Sequence, residues 1–523
     1  MLAFPPLTSP THVPLGLATL APYIRASAPR CALRLLDLNL EAHCRLAPPG
    51  VAEFFQGRSG DFFCVDAYRE QAHRWAASTS RLVRLMSHAR RFVETGELDG
   101  GLQQLLDPQV ELLLASDPTL VGLSVLFPQQ LIPALALTRR MKQHATPRVY
   151  LGGASMSAIH VDDLLQACPD VDGVLVGEGE PAAGMLFDGS PPDQVPGLVF
   201  RGPAGVQRNR AAHCSSLVQL PPPDFSDLPL DRYWNPTPVL GALYSRGCRW
   251  RRCRFCSHNL SFAGYRHKTV SQLVQELCEL QQRHHASHFY FTDQYIEPRD
   301  LECIARELSR RQTGIRFHVL GRPVAAYSRA RLEAIHDGGC RWIGWGVETG
   351  SQRLLDLMGK GVDARVAAGV VRDAAAAGIS NMLLLIFGLP TSTDADLDQT
   401  LRLIEQLHPL TDSLTASQFV LFHRTPLARR PARFQLQVVG TKHVLKVGQQ
   451  LVRSTRLIHR DLDGQGEVLP NRGEVELRAW EQRCRWLGQL PFVDELCAEH
   501  YLLFVAHDAV VGRRPTLPCD RAA

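Results

Sequence analysis

The sequence predicts an α/β protein: an N-terminal Rossmann-like doubly wound domain, then a partial (β/α)6 TIM-type barrel, then a small, mainly α C-terminal domain. Three observations lead to this fold class. Apolar runs of strand length alternate with amphipathic helical stretches, as in βαβ units around parallel sheets. The spacing of the alternating strand and helix stretches changes after a proline-rich segment. Finally, 523 residues are enough for two or three separate cores.

Residues 1–215 form the predicted Rossmann-like domain. VPLGLATLAPYI predicts its first helix and CALRLLDLNL a strand, and we expect a helical insert over about residues 45–112. The runs LVGLSVLF, PRVYLGG and VDGVLVGEGE then predict three parallel strands. Ligands bind at the carboxyl ends of such strands. The small or polar residues expected to border this ligand crevice are Ser124, Gly152, Gly153 and Gly177.

A linker is predicted over residues 216–238, which hold six prolines and show no hydrophobic period. Six strand–helix units follow within residues 239–425, too few for a closed eight-stranded barrel. We therefore expect a partial barrel whose site lies at the carboxyl ends of its strands. Residues 426–523 are expected to form a C-terminal domain that caps the barrel and covers the substrate. Candidate residues for lining this mouth are Trp486, His500 and Tyr501.

Composition and charge exclude several classes of protein. The net charge of +5 is small for a general nucleic-acid or membrane binder. The chain has neither a long uninterrupted apolar run nor a signal-like N-terminus. Most of the 14 cysteines are isolated in apolar segments, which favours a reducing compartment. We expect a cytoplasmic protein without nucleic-acid or membrane partners.

The stretch SRGCRWRRCRFCSHN, directly after the first barrel strand, contains Cys248, Cys253 and Cys256 in the spacing C-x4-C-x2-C. Thiolates are soft ligands that suit zinc or iron–sulfur clusters. One interpretation is a structural zinc site with His258 as its fourth ligand. The other is a four-iron cluster held by only three cysteines, which leaves one iron open to a small molecule.

Five arginines lie among these cysteines, and they have more than one explanation. They can form a solvated loop face. Alternatively, their charge offsets an anionic cluster and attracts an acidic electron donor of the flavodoxin or ferredoxin type. A nucleic-acid site is less favoured, because stacking aromatic residues do not recur through the segment. The five are Arg246, Arg249, Arg251, Arg252 and Arg254.

The cysteine motif, with Phe255 just before its last cysteine, resembles that of the radical S-adenosylmethionine (SAM) enzymes. Its first gap is one residue longer than the gap most common in that superfamily. Four further stretches resemble the segments that bind SAM at later strand ends: FTDQY, HVLGRP, GVETGSQRLLDLMGKG and LLLIFGLPTST. The resemblance implies that Cys248, Cys253 and Cys256 ligate a 4Fe-4S cluster whose open iron binds SAM.

The same resemblance implies a set of SAM contacts along the barrel. Asp293 is implied for the amino group of SAM and Arg322 for its carboxylate. The other implied contacts are Phe255 beside the cluster, Glu348 and Ser351 for the ribose or methionine moiety, and Ile386 and Gly388 beside adenine.

The N-terminal runs, together with PGLVFR and LPPPDFSDL, resemble the cobalamin-binding domain and linker that precede the radical core in one large branch of these enzymes. The motif D-x-H-x-x-G, which supplies a histidine to cobalt in other cobalamin proteins, is absent from the chain. A doubly wound domain that binds another nucleotide, or nothing, is the alternative. The cobalamin contacts that the resemblance implies are Ser124, Gly152, Gly153, Ser155, Gly177 and Glu178.

Together the two resemblances imply an enzyme like the class B radical SAM methyltransferases, with a 4Fe-4S cluster, S-adenosyl-L-methionine and cobalamin as cofactors. The implied reaction is C-methylation of an unactivated carbon of a peptide or natural-product substrate, by way of a 5′-deoxyadenosyl radical and methylcobalamin. One alternative keeps both cofactors but catalyses a rearrangement or cyclisation. Another is a zinc-stabilised binding protein without catalysis. The sequence alone identifies no catalytic residue.

Overall fold

The computed structural model describes residues 1–211, 213–258, 262, 264–463, 465–469, 471–483 and 496–507. These residues divide into two compact units. The first unit comprises Met1–Phe62, Asp66–Ala286 and Val420–Leu469. The second comprises Phe63–Val65, Ser287–Phe419 and the described residues from 471 onward.

A seven-stranded sheet forms the centre of the first unit, in the order β2-β1-β3-β4-β5-β6-β7. The first five strands of this order pair in parallel, and β6 and β7 pair antiparallel. The short strand β1 lies between two neighbours and is buried, so it is not an edge of the sheet. The strands are β1 (Leu2–Phe4), β2 (Leu35–Asp37), β3 (Leu120–Ser124), β4 (Arg148–Gly152), β5 (Gly173–Leu175), β6 (Leu198–Gly202) and β7 (Gly205–Arg208).

Helices surround this sheet, and several of them fill the segment expected as a helical insert. Side-chain caps set where some of them begin: Asp37 accepts a hydrogen bond from Leu40 N, and Asp99 accepts one from Leu102 N. The helices are α1 (Leu15–Ser27), α2 (Leu38–Leu46), α3 (Val51–Phe55), α4 (Val65–Thr95), α5 (Gly100–Leu114), α6 (Leu131–Lys142), α7 (Val161–Ala167) and α8 (Glu180–Phe187).

The remaining elements of the first unit surround the cysteine segment or come from the C-terminal part of the chain. Strand β9 pairs antiparallel with β10, and β16 pairs antiparallel with β17. These elements are β8 (Val239–Ala242), β9 (Ser245–Arg246), β10 (Arg266–His267), α9 (Val270–His284), α15 (Pro426–Arg429), β16 (Leu436–Val447) and β17 (Gln450–Asp461).

The hairpin of β16 and β17 corrects the expectation of one mainly α C-terminal domain. Leu445 and Val452 of the hairpin join the hydrophobic core that contains Val121 and Leu151 of the seven-stranded sheet. Arg453 forms an ion pair with Asp163 of α7, with Nε and Oδ2 2.7 Å apart. The residues expected to form a single cap are therefore divided between the two units, because the hairpin buries its apolar side chains in the core of the first.

The second unit contains five parallel strands in the order β15-β14-β13-β12-β11. Each connection between successive strands contains at least one helix, as the alternation in the sequence predicted. The elements are β11 (His288–Phe291), α10 (Pro298–Arg310), β12 (Arg316–Gly321), α11 (Arg329–Asp337), β13 (Cys340–Glu348), α12 (Gln352–Leu357), α13 (Ala364–Ala376), β14 (Ser380–Phe387), α14 (Asp394–Leu407), β15 (Ser413–Gln418), α16 (Arg472–Arg483) and α17 (Ala498–Ala506).

Helix α17 lies at the amino ends of the strands, and its position decides against a mouth-lining role for two of the candidate residues. Tyr501 is hydrogen-bonded to Ser380, the first residue of β14, and its ring meets that of Trp342 edge-on at 4.8 Å. His500 on the same helix is fully buried. Both are therefore packing residues remote from the carboxyl ends, and Trp486 lies outside the described residues. No described helix is long and apolar enough to cross a bilayer.

Candidate functional site

The cysteine segment is a loop closed at its base by two short strands. Arg246 of β9 pairs with Arg266 of β10, and Cys248, Cys253 and Cys256 lie between them, each half-buried. At Gly247 (φ +82°), an added Cβ would lie 2.4 Å from the carbonyl oxygen of Gly264. Only glycine permits this close approach of the two backbone segments, so the two sides of the loop touch just before its first cysteine.

A buried network of charges holds the base of this loop to the carboxyl end of β5. Arg246 donates to Glu180 and lies 3.3 Å from Glu178. Arg266 donates to Glu178 and to the carbonyl oxygen of Cys214. Burial raises the pKa of Glu178, but the hydrogen bond from Arg266 and the charge of Arg246 outweigh it and bring the pKa below its ordinary value. Two carboxylates thus face two guanidinium groups, so the network is balanced in charge.

Glu178, Glu180 and Cys214 also lie close enough together to suggest a metal site, but their chemistry argues against one. Both carboxylates already form ion pairs with arginines. Burial, and then the nearby Glu180 charge, raise the pKa of the Cys214 thiol to about 11, so the thiol stays protonated at neutral pH. The group is therefore a structural contact between two loops.

The five arginines of the cysteine loop differ in their surroundings. Arg246 is buried in the ion-pair network, whereas Arg249, Arg251 and Arg252 are exposed. The guanidinium of Arg252 lies 5.1 Å from the centre of the Trp250 ring, in a cation–π contact. The exposed three make the outer face of the loop positive.

The residues predicted to contact cobalamin lie at the carboxyl ends of β3, β4 and β5. An added Cβ at Gly152 or Gly177 would make ordinary van der Waals contact at 3.8 Å, so the bare backbone at these two positions is not crowded by the rest of the chain. Gly153 (φ +99°) differs, because an added Cβ would lie 2.5 Å from the carbonyl oxygen of Val125. Ser155 Oγ donates to the carbonyl oxygen of Leu126 at 2.8 Å. The loops after β3 and β4 are thus locked together.

A cavity of about 340 Å³ lies beside these strand ends within the first unit. Its wall includes His160 from the segment before α7, and Ser257, which follows Cys256. His423 and Arg424, from the segment before α15, complete the opposite side. Sequence reasoning missed this cavity, because its lining comes from six separate parts of the chain.

In the second unit, two residues predicted to contact SAM are buried after the ends of β11 and β12. Asp293 is 1 % exposed and Arg322 is 8 % exposed. Arg322 Nη2 donates to the carbonyl oxygens of Lys360 and Gly361 at 2.7 and 3.1 Å. Its guanidinium also lies 5.3 Å from the centre of the Tyr295 ring.

Glu348 ends β13 with a positive φ of 65°, a strained conformation for a residue with a side chain. Lys360 donates to its carboxylate in a buried ion pair. An added Cβ at Gly346 would lie 2.7 Å from Lys360 Nζ, so this glycine makes room for the pair. Lys360 therefore connects two predicted SAM contacts: its ammonium holds Glu348, and its carbonyl accepts from Arg322.

Ser351 is fully buried, and it contacts the protein on two sides. Its Oγ accepts from Leu354 N as the cap of α12 and donates to Asp396. Asp396 also accepts from Arg353 and Thr393. Burial raises the pKa of Asp396, but these hydrogen bonds dominate and lower it to about 2. This network fixes the segment that follows β13.

The strand end predicted to lie beside adenine is covered by α16. Gly388 N donates to Glu476 Oε2 at 2.6 Å, and Ser392 Oγ donates to the same carboxylate. An added Cβ at Gly388 (φ +70°) would lie 2.3 Å from Gly473 Cα. Ile386 is the penultimate residue of the same strand, β14. Sequence reasoning missed Lys360, Asp396 and Glu476, although Lys360 lies within a stretch quoted for its resemblance.

These features define a class of enzyme. Residues 243–404 match the family model described as the Radical SAM superfamily. The match contains the cysteine triplet and the strand ends that carry Asp293, Arg322 and Glu348. The central part of the chain, residues 243–404, is therefore a radical SAM domain.

Particular relatives extend the similarity beyond this domain. TsrM from Kitasatospora setae, with cobalamin and a [4Fe-4S] cluster bound, aligns over 94 % of this chain and 88 % of its own at 16 % identity and a TM-score of 0.59. OxsB, with aqua-cobalamin and S-adenosylmethionine bound, aligns over 92 % of this chain and 67 % of its own at 16 % identity and a TM-score of 0.61. These likenesses confirm the predicted α/β fold class with its TIM-like core.

A curated relative adds a similarity of sequence. Uncharacterized methyltransferase PH0819 from Pyrococcus horikoshii is 26 % identical over 252 residues, or 46 % of this chain. The aligned region spans 54 % of that methyltransferase, so about half of its length has a counterpart here.

Proposed function

We propose that this chain is a cobalamin-dependent radical SAM enzyme that C-methylates an unactivated carbon of a peptide or natural-product substrate. One observation carries the proposal: the cysteine triplet lies in a radical SAM domain on a chain whose fold resembles the cobalamin-containing TsrM over 94 % of its length. The similarity to a methyltransferase of Pyrococcus horikoshii supports methyl transfer as the reaction.

The residues present suit the three groups that this function needs. The loop contains three half-buried thiols, those of Cys248, Cys253 and Cys256. Together they are a donor set for an iron–sulfur cluster with one open coordination position. The bare backbone at Gly152 and Gly177 suits the close approach of a flat macrocycle such as cobalamin. SAM would be held by Phe255, Asp293, Arg322, Glu348, Ser351, Ile386 and Gly388. The cobalamin site would be completed or supported by Ser124, Gly153, Ser155 and Glu178.

When bound, the cluster and SAM supply a 5′-deoxyadenosyl radical, and cobalamin supplies a methyl group. The chain's own residues orient these groups and exclude water. Arg246 and Arg266 fix the two ends of the cysteine loop through buried ion pairs. Lys360 holds the Glu348 carboxylate on one side and the Arg322 guanidinium on the other. Each of these contacts restricts the motion of a group that would touch a cofactor.

We also propose a flavodoxin- or ferredoxin-type electron donor and a cytoplasmic location. The exposed Arg249, Arg251 and Arg252 present positive charge on the cysteine loop. Such charge steers acidic partners toward a site at low ionic strength. A reducing compartment suits a chain whose 12 described cysteines are all free thiols.

A second candidate reaction is a cobalamin-dependent rearrangement or cyclisation without methyl transfer. The likeness to OxsB, named only as a cobalamin-dependent radical enzyme, has a TM-score of 0.61, against 0.59 for TsrM. The likeness in fold therefore does not select between the two reaction types, and the products of SAM distinguish them.

The test is to analyse the products of SAM after anaerobic reconstitution with iron, sulfide and cobalamin. Methyl transfer yields S-adenosylhomocysteine together with 5′-deoxyadenosine, whereas cyclisation yields 5′-deoxyadenosine alone. Cys253→Ala should give neither product, because it removes a cluster ligand. Cys303→Ala, which changes an exposed thiol on α10, should behave as the wild type. SAM cleavage that persists in Cys253→Ala would contradict the ligand assignment.

A further inference from the structure

The 340 Å³ cavity of the first unit is lined by positively charged or potentially charged groups. Arg208 and Arg424 contribute guanidinium groups, and His160 and His423 contribute imidazole rings whose centres lie 6.0 Å apart. The Ser257 hydroxyl adds a hydrogen-bond donor to the same wall, whereas the Thr455 hydroxyl already donates to the carbonyl oxygen of Ala158. These are the groups that proteins use to bind carboxylates and phosphates.

The acidic groups near the cavity are already paired. Asp162 pairs with Arg208, with Oδ1 and Nη2 3.0 Å apart, and Asp163 pairs with Arg453. Within the described part of the chain, Arg424 has no ion-pair partner. The cavity therefore keeps an excess of positive charge that its own carboxylates do not neutralise.

The surroundings of His160 favour its neutral form, first through burial and then through nearby positive charge. Burial lowers its pKa, and the neighbouring charge of Arg453 lowers it further. His423 and Arg424 act in the same direction, whereas Asp163 acts against them. The balance is a lowered pKa, as expected for an imidazole in a positive local field.

The size of the cavity decides what it can hold. Pockets for small molecules range from about 300 to 1,000 Å³, so a volume of about 340 Å³ suits a ligand, or part of one, of the size of an amino acid. A whole corrinoid is several times larger. The cavity is therefore a place for a small anionic group rather than for the entire cobalamin ring.

The parts of the chain that supply the cavity-lining residues favour the substrate as its ligand. Residues 243–404 form the matched radical SAM domain, but His423, Arg424 and Thr455 come from the chain beyond it. His423 N donates to the carbonyl oxygen of Thr455 at 2.7 Å, which fixes this wall to β17. Ser257 borders the cavity directly after the cluster-ligand candidate Cys256. Residues from a region outside the common domain thus meet the cysteine loop here.

We infer that this cavity binds a carboxylate or phosphate group of the substrate, with Arg424 as its principal cation and His160 and His423 as supporting donors. The inference rests on the proposed function, because only that function makes the ligand a substrate. It narrows the substrate class to small molecules or peptides that carry an anionic group.

The test measures anion binding directly, without turnover. Inorganic phosphate and acetate are titrated calorimetrically into the full-length chain. We expect binding by at least one of them, and a dissociation constant about tenfold or more higher for Arg424→Ala, as the loss of a hydrogen bond between charged groups predicts. Arg365→Ala, which changes a 95 % exposed side chain in the second unit, is the matched control and should bind as the wild type does.

Two results would overturn the inference. The first is a failure of the binding test, in which neither anion binds or the Arg424→Ala variant binds both anions as tightly as the wild type. The other is that loading with cobalamin abolishes phosphate binding, since the anion would then occupy a cofactor site. Because these titrations contain no SAM, their outcome is independent of SAM cleavage. Cleavage without anion binding would refute this inference alone. Anion binding without cleavage would refute the proposed function, and with it the assignment of the anion to a substrate, although the anion site itself would stand.

Discussion

The strand ends of the two units carry opposite kinds of surface. In the first unit, Gly152 and Gly177 present bare backbone, and the nearest atoms to an added Cβ lie at van der Waals distance, 3.8 Å away. In the second unit, the corresponding ends carry buried charged side chains, among them Asp293, Arg322 and Glu348. The strands that carry these ends pair in parallel in both sheets, so the difference lies in the residues that follow each strand and not in the strand arrangement.

This difference indicates two kinds of recognition. Bare backbone selects a ligand by shape and distance, which suits a large flat ring. Buried charges select by electrostatic complementarity, which suits a small ligand with an amino group, a carboxylate and hydroxyls. Their burial also has an energetic consequence, because removing one partner leaves the other unpaired away from water. Substitutions should therefore act more strongly at the charged strand ends.

The largest effect in this comparison is expected for Arg322→Ala. The change removes a buried guanidinium and its hydrogen bonds to the carbonyl oxygens of Lys360 and Gly361. A charged hydrogen bond contributes about 1.5–3 kcal/mol, so losing the proposed bond from this guanidinium to the SAM carboxylate should lower SAM affinity roughly 10- to 100-fold. Equilibrium binding of SAM to the reconstituted protein measures this.

The variant should keep its cobalamin content, because Arg322 belongs to the other unit. Circular dichroism checks that the variant is folded. A folded Arg322→Ala protein with wild-type SAM affinity would show that the charged strand ends do not serve SAM.

A smaller effect is expected for Gly153→Ala in the first unit. The new Cβ would meet the Val125 carbonyl oxygen at 2.5 Å, at a φ of +99° that side chains rarely adopt. Strain of this kind costs about 1–3 kcal/mol, so cobalamin retention should fall about tenfold while SAM affinity is unchanged. Bound cobalamin is measured by its absorption after gel filtration.

Gly189→Ala provides the matched control. Gly189 also has a positive φ, +83°, but an added Cβ there meets no atom within 4 Å. It therefore tests backbone strain without the collision. Equal losses of cobalamin in both variants would contradict a specific role for the loop at Gly153.

The strands were predictable from sequence because their signal is local. The stretch LLLIFGLPTST is predicted to lie at the end of a barrel strand, and the structure has β14 at Ser380–Phe387. The hairpin of β16 and β17 also has a local signal, which the basic composition of its surroundings obscured. Polar and apolar residues alternate through parts of LQVVGTKHVLKV and QLVRSTRLIHRD, and Gly448 with a positive φ lies between them.

The charge networks were not predictable, because their partners are distant in the sequence. Arg246 and Glu180 are 66 residues apart, and Arg266 and Glu178 are 88 apart. No spacing rule connects such positions, and Glu178 was expected only as a cobalamin contact. The same limit applies to Tyr501, since the end of the strands that its helix covers depends on tertiary packing.

The most direct test of the proposed chemistry is the response of the reconstituted chain to SAM. If the triplet of cysteines leaves one iron open, anaerobic reconstitution should give a brown protein whose electron paramagnetic resonance spectrum, after reduction, changes when SAM is added. A colourless protein that carries zinc, or an iron–sulfur spectrum that SAM leaves unchanged, would contradict the assignment of this site.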